Sequence, residues 1–214
     1  MLILMSILLY ITCDLRQQEQ SCCLTAGLAF LDAYQKANPR DEIHMLDLYR
    51  DPLQPADLDV LSAWDKTARG HHFATLTKAE QQKMVRISTL AMQFAAADKY
   101  VFVTPMWKPG FPPQMLEYLD TVLVAGTTYR NTSSGPEGLL KDQERKCLMI
   151  HSTEGFVYRK KELHCVSSIR QTMKFLGVAE FSSILIYGVG PASDENAALI
   201  RKELGRVAEA ALTF

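Results

Sequence analysis

The sequence predicts a three-layer α/β protein built on a parallel sheet, and three observations predict it. Strand candidates recur along the 214 residues at Met1–Ile11, within Asp41–Leu48 (Ile43, Met45, Leu46), and at Lys99–Thr104, Cys147–His151 and Ser182–Tyr187. Amphipathic stretches of helical length separate them, which is the crossover that parallel strands require. The first run is apolar throughout, as a strand covered by helices on both faces must be.

Composition narrows the class. Apolar residues make up 48% and charged residues 22% of the chain, the balance of an ordinary globular protein, and one domain over residues 1–214 accommodates this length. A net charge of −1 supplies no basic excess, so neither nucleic acid nor a membrane surface is an expected partner. Five cysteines without Cys-x-x-Cys spacing indicate neither a disulfide framework nor a zinc site, and they fit a reducing compartment. Met1–Ile11 lacks a basic leader region and is shorter than the roughly 20 residues that span a bilayer. The expected location is cytoplasmic.

Taken in order, the first strand runs into a polar loop, Thr12–Ser21, and then a helix with a stripe at Leu24, Leu28, Leu31 and Tyr34 that ends at Pro39. After the second strand, residues 50–75 form an irregular excursion around a short helix near Leu58–Lys66. Thr77-Lys78-Ala79-Glu80 is a capping box, in which Thr77 and Glu80 each satisfy an N–H at a helix start. It opens a helix to about Ala97 with Val85, Ile87, Met92 and Phe94 among its apolar positions. Pro105 cuts the third strand, and two prolines open the helix Gln114–Ala125, whose stripe is Met115, Leu116, Leu119, Val122 and Leu123. Residues 126–140 mix β-prone residues with turn formers and predict a protruding hairpin or loop. A helix carrying Leu163, Val166, Ile169, Met173 and Leu176 stops at Gly177, and Glu195–Ala211 is the last helix.

Three loops leave strands near the sheet centre: Thr12–Ser21, Pro105–Phe111 and Ser152–Phe156. In a doubly wound sheet, ligands bind outside the carboxyl ends of the strands, where backbone N–H groups lack ladder partners. The first loop is rich in Gln and Ser and enters a helix N-terminus, which suits a phosphate; a solvated loop fits the same residues. The second presents Met106 and Trp107, which suit a flat aromatic ligand, and the third has small residues that permit close backbone approach. Phosphate at one loop and an aromatic ring between the other two describe a mononucleotide such as FMN at the switch point of a sheet ordered 2-1-3-4-5. There is no Gly-x-x-x-x-Gly-Lys loop and no Gly-x-Ser-x-Gly elbow, and Gly188-Val189-Gly190 lacks the third glycine of a dinucleotide fingerprint.

Asp14-Leu15…Glu19-Gln20-Ser21, Pro105-Met106-Trp107, Phe111-Pro112, Gly135-Pro136-Glu137-Gly138-Leu139-Leu140 and His151-Ser152-Thr153-x-Gly155-Phe156 together resemble the FMN-dependent NADH azoreductases, which are also NAD(P)H:quinone reductases. Asp47-Leu48-Tyr49 and Asp98-Lys99-Tyr100 extend the likeness over nearly the whole chain. The resemblance implies a flavodoxin-like fold, non-covalent FMN, NADH or NADPH as electron donor, small aromatic quinone or azo acceptors, ping-pong hydride transfer on the flavin, and a homodimer. It maps the phosphate loop onto Cys13, Glu19, Gln20 and Ser21 and the isoalloxazine loop onto Met106, Trp107, Lys108 and Pro109. The second ring loop maps onto Ser152, Thr153, Glu154 and Gly155, with Phe111, Tyr129 and Phe156 as pocket walls. No protein residue is singled out as acid or base, and no metal is implied.

Two positions depart from the family pattern. Lys108 stands where Asn is usual, and Glu154-Gly155 where two glycines are usual. An ammonium near the pyrimidine edge would favour the anionic reduced flavin; a solvated lysine, or a Lys108–Glu154 pair, fits the same residues. His71-His72 has no ligand pattern around it, Cys22, Cys23 and Cys147 read as small buried apolar residues, and His151 reads as a structural hydrogen-bonder with a ring contact as the alternative.

Overall fold

The computed structural model describes residues 5–108, 110–153, 164–187 and 194–214. The apolar runs become β1 (Ile7–Thr12), β2 (Glu42–Asp47), β3 (Lys99–Pro105), β6 (Lys146–Thr153) and β7 (Glu180–Tyr187), all parallel. They lie in the order β2-β1-β3-β6-β7. The order by chain number is therefore 2-1-3-6-7 and not the expected 2-1-3-4-5, because the segment after β3 supplies two strands of its own. β4 (Tyr129–Thr132) and β5 (Gly135–Gly138) bond antiparallel to each other and form a separate hairpin.

Helices α1 (Cys22–Ala37) and α6 (Asp194–Thr213) cover one face of the sheet. α3 (Lys78–Ala96), α4 (Pro113–Val122) and α5 (His164–Leu176) cover the other, and α2 (Leu58–Ala68) packs on α3. β3 is buried from Tyr100 to Thr104, which is why its sequence shows no alternation. None of the helices among the described residues is long and apolar enough to cross a membrane.

The capping box forms as read: the Thr77 amide donates to Glu80 at 2.8 Å and the Glu80 amide to the Thr77 hydroxyl at 3.2 Å. Other expectations shift. The buried face of α1 runs through Cys23, Ala26, Gly27, Phe30, Leu31 and Tyr34, while Leu24 and Leu28 are half-buried. Gly27 sets this rotation, since a Cβ there would lie 2.3 Å from the Tyr10 hydroxyl and 2.9 Å from Val103. On α3 the buried positions are Ile87, Leu90, Ala91 and Phe94, and Val85 and Met92 face out; on α4 Leu116 also faces out. α4 ends at Val122, before the expected Ala125, because the Thr128 hydroxyl donates to the Val122 carbonyl at 2.7 Å and accepts the Val124 amide at 3.0 Å. That pair turns the chain into the hairpin.

Candidate functional site

Neighbouring strands bring the predicted loops together at one end of the sheet. Thr12 pairs with Asp47 on one side and Val103 on the other, and Pro105 pairs with Ser152, so the carboxyl ends of β2, β1, β3 and β6 stand side by side.

The first loop is built around Asp14, a buried carboxylate. Its oxygens accept the Ser21 hydroxyl at 2.6 Å and the Arg16 amide at 3.0 Å. Ser21 also caps α1 by accepting the Leu24 amide at 3.2 Å. The hydroxyl proton of Ser21 is therefore committed inward, and Cys13 is likewise turned into the core, where burial first and the Asp14 charge second push its thiol up to about 12. Both residues build the loop from behind. Glu19 and Gln20 are exposed on its outer side. A tight turn ties the Gln20 amide to Gln17 and the Ser21 amide to Gln18, whereas the amides of Leu15, Gln17, Gln18 and Glu19 have no partner among the described residues. Unpaired N–H groups running into a helix N-terminus form a donor set that fits a phosphoryl dianion.

A fourth loop, which the sequence reading did not assign to the site, continues β2. Asp47 accepts the amides of Tyr49 at 2.9 Å and Arg50 at 3.2 Å and the Arg50 guanidinium at 2.7 Å, folding residues 47–51 into an Asp-centred turn. Tyr49 then stacks with Trp107, ring centroids 6.4 Å apart and planes 28° apart. Burial, with Cys13 and Asp14 nearby, pushes the Tyr49 hydroxyl up to about 12, so it stays protonated. The Asp47-Leu48-Tyr49 tripeptide was the available sign, although nothing in its own spacing says that it meets residue 107.

The second loop is anchored by the Met106 amide, which donates to the Ser152 carbonyl at 2.6 Å, and closed by the Trp107 amide on Gly110 at 3.0 Å. Lys108, between them, has φ 56°, the only non-glycine residue with positive φ among the described residues. This gives the departure from Asn a backbone meaning, because Asn tolerates the left-handed region better than Lys. Trp107 is 42% exposed, Met106 and Phe111 pack half-buried against the core, and Lys108 is exposed. Pro109 lies outside the described residues.

In the third loop Ser152 and Thr153 are buried, and Ser152 neighbours the Cys23 thiol, which also meets Ser21. That cysteine links the first loop to the third. His151 is fully buried; Nδ1 donates to the Thr104 carbonyl at 2.9 Å and Nε2 lies 3.6 Å from the Cys165 sulfur. Burial lowers its pKa to about 4, so it is a neutral strap between β3 and β6 with no access to a substrate. Glu154, Gly155 and Phe156 lie outside the described residues.

Tyr129 does not join this end. Helix α4 starts at the loop end and runs back for ten residues, or roughly 15 Å, before the hairpin begins, and Tyr129 packs on Phe175 near the far end of α5. Within its own chain, Tyr129 therefore stands apart from Met106, Trp107 and Phe111. No cluster of metal-ligating side chains occurs among the described residues. At the loop end, then, backbone N–H groups without partners among the described residues lie beside the exposed Trp107 ring and the half-buried Tyr49, a set that fits the phosphate and ring of a flavin mononucleotide.

Comparison with known proteins agrees. Residues 6–210 match the family described as having a flavodoxin-like fold. An FMN-dependent NADH:quinone oxidoreductase from Geotalea uraniireducens is 51% identical over 190 residues, covering 89% of this chain and 90% of that one. Its counterpart from Trichlorobacter lovleyi is 44% identical over 98% of this chain and its own full length. Among solved structures, an FMN-dependent NADH-azoreductase from Bacillus anthracis in complex with FMN superposes with a TM-score of 0.85 at 26% identity, covering 97% of this chain and 98% of that one.

Proposed function

The chain belongs to the flavodoxin-like fold family, and from that premise we propose that it is an FMN-dependent NADH:quinone oxidoreductase that also reduces aromatic azo compounds. The observation that carries this reading is the juxtaposition, at one sheet end, of four loop amides without partners among the described residues and the exposed Trp107 ring on Tyr49.

When bound, FMN supplies the chemistry of accepting a hydride from NADH and passing the electrons on to a quinone or azo acceptor. The chain binds and orients. The amides of residues 15 and 17–19 would hold the phosphoryl group, with exposed Glu19 and Gln20 at its margin. Met106, Trp107 and Lys108 of the second loop and Ser152 and Thr153 of the third would hold the ring system. Phe111 excludes water from the mouth.

A homodimer completes the reading. Val85, Ser88, Thr89, Met92 and Ala96 give α3 an exposed stripe without a charge, and Leu116 of α4 and Leu58 and Leu61 of α2 are exposed too. Five free cysteines support a reducing, cytoplasmic location.

Purified protein incubated with FMN is expected to turn yellow and to oxidise NADH steadily with menadione. Protein that stays colourless overturns the flavin reading. Retained FMN without NADH oxidation favours an electron-transfer module in place of an enzyme.

A further inference from the structure

Arg50 lies across the first loop from the neighbouring strand. One guanidinium nitrogen is 3.5 Å from the Asp14 carbonyl and the other 3.5 Å from the Arg16 carbonyl, while the Asp47 carboxylate holds the same group at 2.7 Å. These contacts join residues 36 and 34 positions apart in the chain. A trans peptide points its C=O and the following N–H in opposite directions. With the carbonyls of Asp14 and Arg16 turned toward Arg50, the amides of Leu15 and Gln17 point away from it, and both lack partners among the described residues.

We propose that Arg50 is a positioning residue for the phosphoryl group of the flavin: its fork holds two peptide planes of the first loop so that their N–H groups converge on the anion. The inference rests on the FMN reading above. Asp47 sets the fork and partly offsets its charge, so orientation of the loop dominates over direct attraction. Lysine, a single charged point without the planar fork, cannot bridge two carbonyls in the same way. Arg50 is itself exposed and outside the core, so the fold does not depend on it.

The consequence is selectivity for phosphorylated over unphosphorylated flavin. Fluorescence titration of wild-type protein, Arg50→Ala and Arg50→Lys with FMN and with riboflavin tests it, alongside thermal unfolding of each protein without flavin. Wild type is expected to prefer FMN. Arg50→Ala should bind FMN about tenfold more weakly, the loss of one charge-assisted positioning contact, with riboflavin affinity and melting temperature unchanged; Arg50→Lys should recover little of the preference. Arg50→Ala that keeps the wild-type preference, or weakens both flavins equally, overturns the role of Arg50 alone. Arg50→Lys with full wild-type preference overturns positioning in favour of charge. Wild type that binds riboflavin as tightly as FMN, or neither, overturns the FMN reading and this inference with it.

Discussion

At the amino end of the sheet Arg145 is buried, donating to the carbonyls of Ala97 at 2.9 Å and Ala95 at 3.1 Å and pairing with Asp142 at 2.5 Å. At the carboxyl end Arg50 reaches two carbonyls in a similar way, yet it is exposed and its contacts are longer. Around Arg145 the backbone is closed: Leu140 donates to Leu176, Lys146 to Asp98, and Ala179 and Glu180 to Arg145 itself. Gly138 lets the hairpin lie so close to α5 that a Cβ there would sit 2.1 Å from the Phe175 carbonyl. Around Arg50 four loop amides have no partner among the described residues and Trp107 stays partly in solvent. The same side-chain chemistry fastens one end and leaves the other open, and the open end is the one that can bind.

The largest expected effect tests the closed end. Arg145→Ala removes the donor to two carbonyls at the end of α3 and should cost about 3 kcal/mol in urea unfolding, with FMN preference intact. A stable variant, or one that loses flavin selectively, would erase the contrast between the two arginines.

Next is the strap beneath the open end. His151 has a folded pKa lowered to about 4 by burial, below its unfolded value of about 6.5, so the unfolded chain takes up a proton first as pH falls. Its contribution is fully present above about pH 6.5 and is lost on the way down to about pH 4. Between pH 6.5 and 4.5 this amounts to about 2 kcal/mol. His151→Gln should flatten that part of the stability profile; an unchanged slope would assign it to other groups.

The smallest effect sharpens the picture of the open end as strained. Lys108→Gly relieves a left-handed backbone and should stabilise the fold by roughly 0.5 kcal/mol in the same unfolding assay. A loss of stability would mean that the lysine side chain is holding the loop.

Much of this was legible in advance. The apolar runs marked the strands because β3 and β6 are covered on both faces, and Thr77 with Glu80 marked the start of α3 because a capping box is local chemistry. Pro105, which ends β3, gave away the second loop. Cys13 and Ser21 lie on the inner side of the first loop, since a residue's place in a motif does not tell which way its side chain turns. Arg50 and Tyr49 were missed as site residues because their partners, Asp14, Arg16 and Trp107, are distant in sequence.

The strands, the crossovers, the helix start at Thr77 and the position of the loops that leave β1, β3 and β6 were written in the sequence, because each depends on periodicity or on bonds within a few residues. Only the tertiary structure decided that Val85, Met92 and Leu116 face outward and that Tyr129 sits at the far end of the sheet. It also decided that a turn after β2 brings Tyr49 against Trp107. An apolar side chain gains by leaving water whichever neighbour covers it, so helical spacing identifies the residue to be covered, and the packing of other elements decides which surface does so.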